Sequence, residues 1–124
     1  MNRGREAQRL GRDGEDRAAE LLAAAGLAII ARGYRCRLGE LDIIASDGPA
    51  LVIVEVKLRG RPDHGSALES VGPAKRRRIV RATRHFLMRH PAWHSRPIRF
   101  DVIAIEGSGS GAKLSWVKHA FDLS

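Results

Sequence analysis

The chain is predicted to fold as a mixed α/β domain, an α+β mixed sheet held between helices in three layers, and two features of the sequence carry that prediction. The spacing of apolar residues gives the order helix, three strands, helix, two strands (helix-β-β-β-helix-β-β). The helix between the third and fourth strands then acts as a crossover that returns the chain to the same sheet. A length of 124 residues suits a single domain over 1–124, with residues 1–10 and the Gly/Ser tip at 107–112 expected to be flexible.

The first helix is written in DGEDRAAELLAAA, from Asp13 to Ala25. Asp13 is the candidate N-cap, acidic residues fill the first turn, and Gly26 is the stop, although the start can lie several residues earlier. LAIIARGYRCR, from Leu27 to Arg37, reads as a strand broken at Gly33. LGELDIIAS and ALVIVEVKLR are the next two strands, and Asp47-Gly48-Pro49 between them is turn chemistry that makes a hairpin. GRPDHGSALESV is a loop with room for a short helical turn.

Gly72-Pro73 opens the second long helix, with Pro73 suited to the first turn, and Pro91 ends it. Ile79, Thr83, Phe86, Leu87 and His90 recur at helical spacing as its buried stripe, while Arg77, Arg81 and Arg84 lie on a different face. PIRFDVIAIE and KLSWVKHAF complete the sheet as strands.

Composition narrows the function. Lys plus Arg number 22 against 14 Asp plus Glu, a formal net charge of +8, which favours a polyanionic partner. Nine basic residues, from Lys75 to Arg99, fall in a stretch with no acidic residue between Glu69 and Asp101. The plain alternative is a solvated, Arg-rich surface. Cys36 is the single cysteine, so an intrachain disulfide and a cysteine-based zinc site are excluded. No run of about 18 apolar residues occurs and MNRGREAQRLGR has no apolar signal region, so a cytoplasmic protein without a membrane partner is expected.

The hairpin carries the chemistry. An even loop centred on Gly48-Pro49 pairs Ser46 with Leu51, and the same register sets Asp42 against Glu55 and Glu40 against Lys57. Two carboxylates facing each other repel unless a cation lies between them. Hard oxygen ligands suit Mg²⁺ (or Mn²⁺), which keeps several waters and accepts phosphate oxygens. Lys57 lies on the face of Glu55, about 6.6 Å along the strand. Arginine supplies 18 of the 22 basic residues, so a lysine there suggests a preference for a compact ammonium. A solvated face with an ordinary Glu40–Lys57 pair, worth under about 1 kcal/mol, is the alternative. It fits poorly with Ile44 and Ile53 on the same face.

Asp42, followed after the hairpin by Glu55-Val56-Lys57, resembles the PD-(D/E)XK nuclease signature. More closely, GRDGEDRAAELLAAAG, GELDIIASD, LVIVEVKLR, the Lys75 helix and RFDVIAI followed by HAF resemble, in order, the bacterial YraN family of uncharacterised, predicted endonucleases. The resemblance covers about Gly11 to Phe121. It implies a restriction-endonuclease-like fold related to archaeal Holliday-junction resolvases, and a metal-dependent endonuclease. Residue by residue it implies Asp42, Glu55 and the Val56 carbonyl as metal ligands, Lys57 as the catalytic lysine, and Glu15 as an acidic residue beside the metal. Leu41 stands where the signature usually has proline, and Glu40 is left to tune the site.

Mechanistically this predicts in-line attack of a metal-activated water on a phosphodiester. Lys75, Arg77, Arg78, Arg81 and Arg84 on the second helix, with Arg35, Arg37, Arg59 and Arg61 flanking the hairpin, are the candidates for holding a nucleic-acid backbone. The scarcity of aromatic residues favours duplex or branched DNA over single strands. A resolvase-like role favours a two-fold homodimer. The rival is a non-catalytic nucleic-acid-binding module on a nuclease fold, followed by a protein-interaction scaffold. A zinc site at His85, His90 and His94 is disfavoured because Pro91 interrupts their spacing.

Overall fold

Strands that are apolar on both faces must be covered on both sides, and this chain supplies one helix for each. The computed structural model describes residues 3–59, 71–107 and 109–123. Its elements are α1 (Arg3–Ala24), β1 (Ala28–Cys36), β2 (Gly39–Asp47), β3 (Ala50–Arg59), α2 (Pro73–Arg89), β4 (Ile98–Glu106) and β5 (Lys113–Phe121). Short 3₁₀ turns at Pro91–Trp93 and Gly109–Gly111 precede β4 and β5. The sheet order is β1-β2-β3-β4-β5. Among the described strands only β3 and β4 run parallel, from Leu51↔Ile98 to Arg59↔Glu106, and α2 lies on the crossover between them.

The two cores lie on opposite faces of this sheet. Ala18 and Leu22 of α1 pack on Ile43, Ala45, Val52, Val54 and Ile103. On the other face Ile79, Ala82, Phe86 and Leu87 of α2 pack on Leu41, Ile44, Ile53, Phe100 and Val102. Three layers with a mixed sheet result, as the element order predicts. Among the described residues no helix is long and apolar enough to cross a membrane. Of the predicted loop GRPDHGSALESV, residues 60–70, with Arg61, lie outside the described residues, as does the Arg59 side chain, while Val71 is buried in the α2 core.

Two expectations are corrected. Asp13 is not an N-cap. The helix runs back to Arg3 because REAQRL is built of strong helix formers, and Asp13 sits inside it, paired with Arg17 at 3.1 Å. Gly14 is buried where α1 crosses the sheet, and a Cβ there would meet Leu58 Cδ2 at 2.6 Å. His90 is exposed rather than part of the buried stripe, in which Val80 and Ala82 join the other members. It caps α2, its Nδ1 lying 2.9 Å from the Phe86 carbonyl with the ring stacked on Phe86.

β4 and β5 are tied by a buried carboxylate. Asp101 is 0 % exposed and accepts hydrogen bonds from Arg99 Nε and Nη2, Trp116 Nε1 and the His119 amide at 2.9–3.0 Å. Four donors satisfy the charge that burial would otherwise penalise.

The feature that positions the site is a rotation shared by β1 and β2. Leu41 belongs to the α2 core but Ile43 to the α1 core, although residues two apart on a regular strand share a face. Their β1 partners change sides with them. Tyr34, opposite Leu41, packs edge-on against Phe86, whereas Arg32, opposite Ile43, pairs with Asp16 of α1 at 2.7 Å. The pivots are Gly33, whose φ of 64° suits glycine, and Asp42.

Candidate functional site

The β2–β3 ladder has the predicted register at Ser46↔Leu51 and stops at Ile43↔Val54. One step further, where Asp42 would pair with Glu55, β2 turns away and stays with β1 through Gly39↔Cys36. The Asp42 side chain fills the gap, Oδ2 accepting the Val56 amide at 2.9 Å. A strand residue presents its N–H and C=O to the same edge, so the Val56 carbonyl faces this gap too. Asp42 therefore projects between two strands.

Glu55 continues the α2 face of β3 and is 5 % exposed. Its Oε1 lies 2.7 Å from Lys75 Nζ, in the first turn of α2. Burial, then the nearby Asp42 charge, push the Glu55 carboxyl up to about 7. Asp42 is also raised, by burial above all, with the Val56 amide and a hydrogen bond to Glu55 working against the shift. Each carboxyl disfavours the charge of its neighbour, so a cation placed beside the pair relieves the repulsion.

Two lysines answer this pair. Lys57 is half-buried, and burial followed by the neighbouring Lys75 lowers its ammonium. Burial alone would lower Lys75 as well, but hydrogen bonds to Glu55 and Lys57 carry it upward. Lys75 is thus the better-held cation.

Glu15 comes from α1. Burial, then Asp42, raise its carboxyl, while Arg32 opposes the shift from 4.0 Å. Glu40 does not face Lys57 as the extrapolated register requires. It follows β2 away from β3 and pairs with Arg35 of β1 at 3.5 Å, a half-exposed contact of little energetic weight. Between β2, β3 and α2 lies a cleft of about 610 Å³ lined by Glu40, Asp42, Glu55, Lys75, Arg35 and Arg78, with Cys36, Gly39 and Ile79.

Of the basic candidates, Arg35 and Arg78 are exposed and border the carboxylates. Arg77, Arg81 and Arg84 form an i, i+4, i+7 row on the solvent side of α2, opposite its core face. Lys75 belongs to the carboxylate cluster rather than to that outer row. Its placement escaped the sequence reasoning, although the signal applied to Lys57 was available: the chain has four lysines, and two meet here. Gly33 reads in the sequence as a strand break, and its part in aiming Asp42 emerges only from the pairing of both strands.

Among the described residues no group of three or more His, Cys, Asp or Glu is arranged to hold a metal. The oxygen set at the gap is two carboxylates and one strand carbonyl. That set fits Mg²⁺ or Mn²⁺, which takes one or two carboxylates and completes its shell with water and phosphate. It does not fit zinc, which prefers four protein ligands rich in nitrogen or sulfur. Two of the histidines have structural partners, His85 at 2.6 Å from the Tyr34 hydroxyl and His90 at the end of α2.

Comparison with known proteins extends over the whole of this framework. UPF0102 proteins from Alcanivorax borkumensis, Pseudomonas fluorescens and Legionella pneumophila are 45 %, 42 % and 40 % identical over 118, 116 and 115 residues. These alignments cover 93–94 % of this chain and 94–96 % of the relatives. The model of the uncharacterised protein family UPF0102 matches residues 14–105, which include Glu15, the hairpin and α2. Sharing both that match and full-length relatives, the chain belongs to the uncharacterised protein family UPF0102.

Proposed function

We propose that this chain is a metal-dependent endonuclease that hydrolyses phosphodiester bonds in DNA, with duplex or branched DNA as its substrate class. The observation that supports this reading is the meeting of Asp42, Glu55 and Lys75 in a cleft bordered by Arg35 and Arg78, with the Val56 amide bonded to Asp42 and Lys57 within electrostatic reach of both carboxyls. Asp42, Glu55 and the Val56 carbonyl would hold Mg²⁺ or Mn²⁺, which supplies Lewis-acid stabilisation and a more acidic water when bound. The Val56 amide fixes Asp42, so the carboxylate needs little reorganisation.

Lys57 offers a half-buried ammonium or amine to orient the attacking water or to meet charge growing on the phosphate. Glu15 adds negative potential beside Asp42. Arg35 and Arg78 grip the backbone near the scissile bond, and the outer row Arg77, Arg81 and Arg84 gives further phosphate contacts.

One observation favours a second reading, a non-catalytic DNA-binding module. Lys75 at 2.7 Å already gives Glu55 a cation without any metal.

Both readings are tested by incubating purified protein with Mg²⁺ or Mn²⁺ and a panel of four-way junction, flap, nicked, duplex and single-stranded DNA. The expected result is cleavage of at least one structured substrate, lost in Asp42→Ala, Glu55→Ala and Lys57→Ala proteins whose circular dichroism is unchanged. Cleavage that persists in all three variants refutes the assignment. Salt-sensitive binding with no cleavage selects the module.

A further inference from the structure

Among the described residues Lys75 is the one cation in ion-pair contact with the carboxylate pair, yet it reaches Glu55 from another element with room to leave. Its Nζ is 2.7 Å from Glu55 Oε1, while its side chain is 42 % exposed against 6 % for Glu55. It stands on the first turn of α2, two residues after Pro73, and lines the cleft together with Asp42 and Arg78. The four-carbon stem gives the ammonium several positions within a space of about 610 Å³.

Charge and lone pairs limit what this cluster can hold together. Counted fully ionised, two carboxylates and two ammonium groups balance. A divalent ion raises the cluster by two charges, and a carboxylate oxygen that ligates an ion directly is poorly placed to keep an ammonium at hydrogen-bond distance. Two cations on one buried carboxylate repel. The more exposed and more mobile one leaves, and a phosphodiester entering the cleft supplies the anion for it.

We propose that Lys75 is the resident counter-cation of the Asp42–Glu55 pair, exchanged for the divalent ion on binding and thereby released to a phosphate oxygen of the substrate. The proposal rests on the metal-dependent reading above and adds to it a residue that couples metal loading to phosphate capture. Lys57 has a different part. It lies on β3 beside the pair, whereas Lys75 is carried on the helix that bears the basic rows.

The test has two arms. Mn²⁺ titration, followed by the electron paramagnetic resonance of the free ion, compares wild type, Lys75→Met, Glu55→Gln and the double variant. Lys75→Met is expected to bind Mn²⁺ about tenfold more tightly or better, the size of coupling expected when two ions compete for one site. Glu55→Gln is expected to lose that binding and to cancel the gain in the double variant. Equal or weaker binding by Lys75→Met overturns the exchange while the metal site stands. Absence of Mn²⁺ binding in every form overturns both.

The second arm uses wild type alone and so is independent of how the variants fold. Acetylation of each lysine amine is followed by mass spectrometry, with Lys113 and Lys118 of β5 as internal references. Lys75 is expected to react severalfold faster with Mn²⁺ present, and to be protected again by a phosphorothioate DNA duplex. A rate unchanged by Mn²⁺ overturns the exchange, and failure of the duplex to protect overturns the assignment to phosphate.

Discussion

The Val56 amide donates to Asp42 Oδ2 at 2.9 Å, at the step where the β2–β3 ladder would otherwise continue with a backbone bond. A side chain thus replaces a carbonyl in the ladder, and the same contact both ends the hairpin and fixes the carboxylate. Asp42→Asn keeps an acceptor for Val56 and removes a raised carboxyl from beside Glu55. It is expected to unfold at a denaturant midpoint equal to or above that of wild type at neutral pH. Asp42→Ala leaves the amide unpaired and should cost about 1–3 kcal/mol relative to Asp42→Asn. Under the proposed function, both variants lose cleavage.

The pH dependence of folding follows from Glu55. Its carboxyl titrates near 4.5 in the unfolded chain and at about 7 in the folded one, so between those values the native state holds the extra proton. Stability is fullest below about pH 4.5 with respect to this group and falls as pH rises to about 7, by an amount on the order of 3 kcal/mol. Asp42, shifted in the same direction, adds to the slope. Urea denaturation of metal-free protein at pH 5 and pH 7.5 measures the fall, and Glu55→Gln should flatten it. A slope unaltered by Glu55→Gln would mean that the proton sits elsewhere.

Gly33 is the position at which β1 must rotate. Nothing lies within 4 Å of a Cβ built there, so the cost of Gly33→Ala is conformational, arising from the φ of 64°. A destabilisation of about 1–2 kcal/mol is expected. Thermal unfolding measures it, and Gly48→Ala, at a φ of 57° in the hairpin turn, is the matched control away from Asp42. Under the proposed function only Gly33→Ala should also weaken Mn²⁺ binding, because it alone alters the aim of that side chain.

Asp101 carries a larger share of stability. Asp101→Ala deprives Arg99, Trp116 and the His119 amide of their acceptor in one step, and leaves Arg99 with its 3.0 Å contact to Asp47. A destabilisation of about 3–5 kcal/mol is expected, as for a broken buried ion pair. The check is chemical denaturation, with a change in the indole signal of Trp116 marking release of β5 from β4.

DNA affinity should respond differently to the two groups of arginines. Removing a side chain that neutralises one phosphate lowers the slope of log affinity against log salt by about 0.9 on B-DNA. Arg35→Ala and Arg78→Ala border the carboxylates, so under the proposed function they reduce both the salt slope and the cleavage rate. Arg77→Ala, Arg81→Ala and Arg84→Ala face outward and should reduce the slope with a smaller effect on cleavage. Fluorescence anisotropy across a salt series, beside initial rates, separates the two.

Much of the fold was legible because its signals are local. The turn at Gly48-Pro49 set a register that the ladder keeps from Asp47↔Ala50 to Ile43↔Val54, and the apolar spacing of α2 found Ile79, Thr83, Phe86 and Leu87. Legibility ended where a strand stops alternating. Period-two reasoning placed Asp42 on the face of Ile44 and set Glu40 against Lys57, but a strand that rotates at one residue moves everything beyond it. Nothing in GELDII announces that rotation, because it depends on Gly33 in the partner strand. The position of Lys75 depends on how α2 crosses the sheet, which no spacing within α2 encodes. The start of α1 was misplaced for a third reason: Asp13 satisfies the chemistry of a cap, and cap chemistry competes with the helix formers before it.

The crossover gives the cluster a history as well as a shape. Asp42 and Glu55 sit on one hairpin and can meet by a short local closure, whereas Lys75 arrives only when α2 docks and β4 finds its place beside β3. The acidic pair is thus closed by a contact local in sequence, and its cation by one that depends on the long-range pairing of β3 with β4.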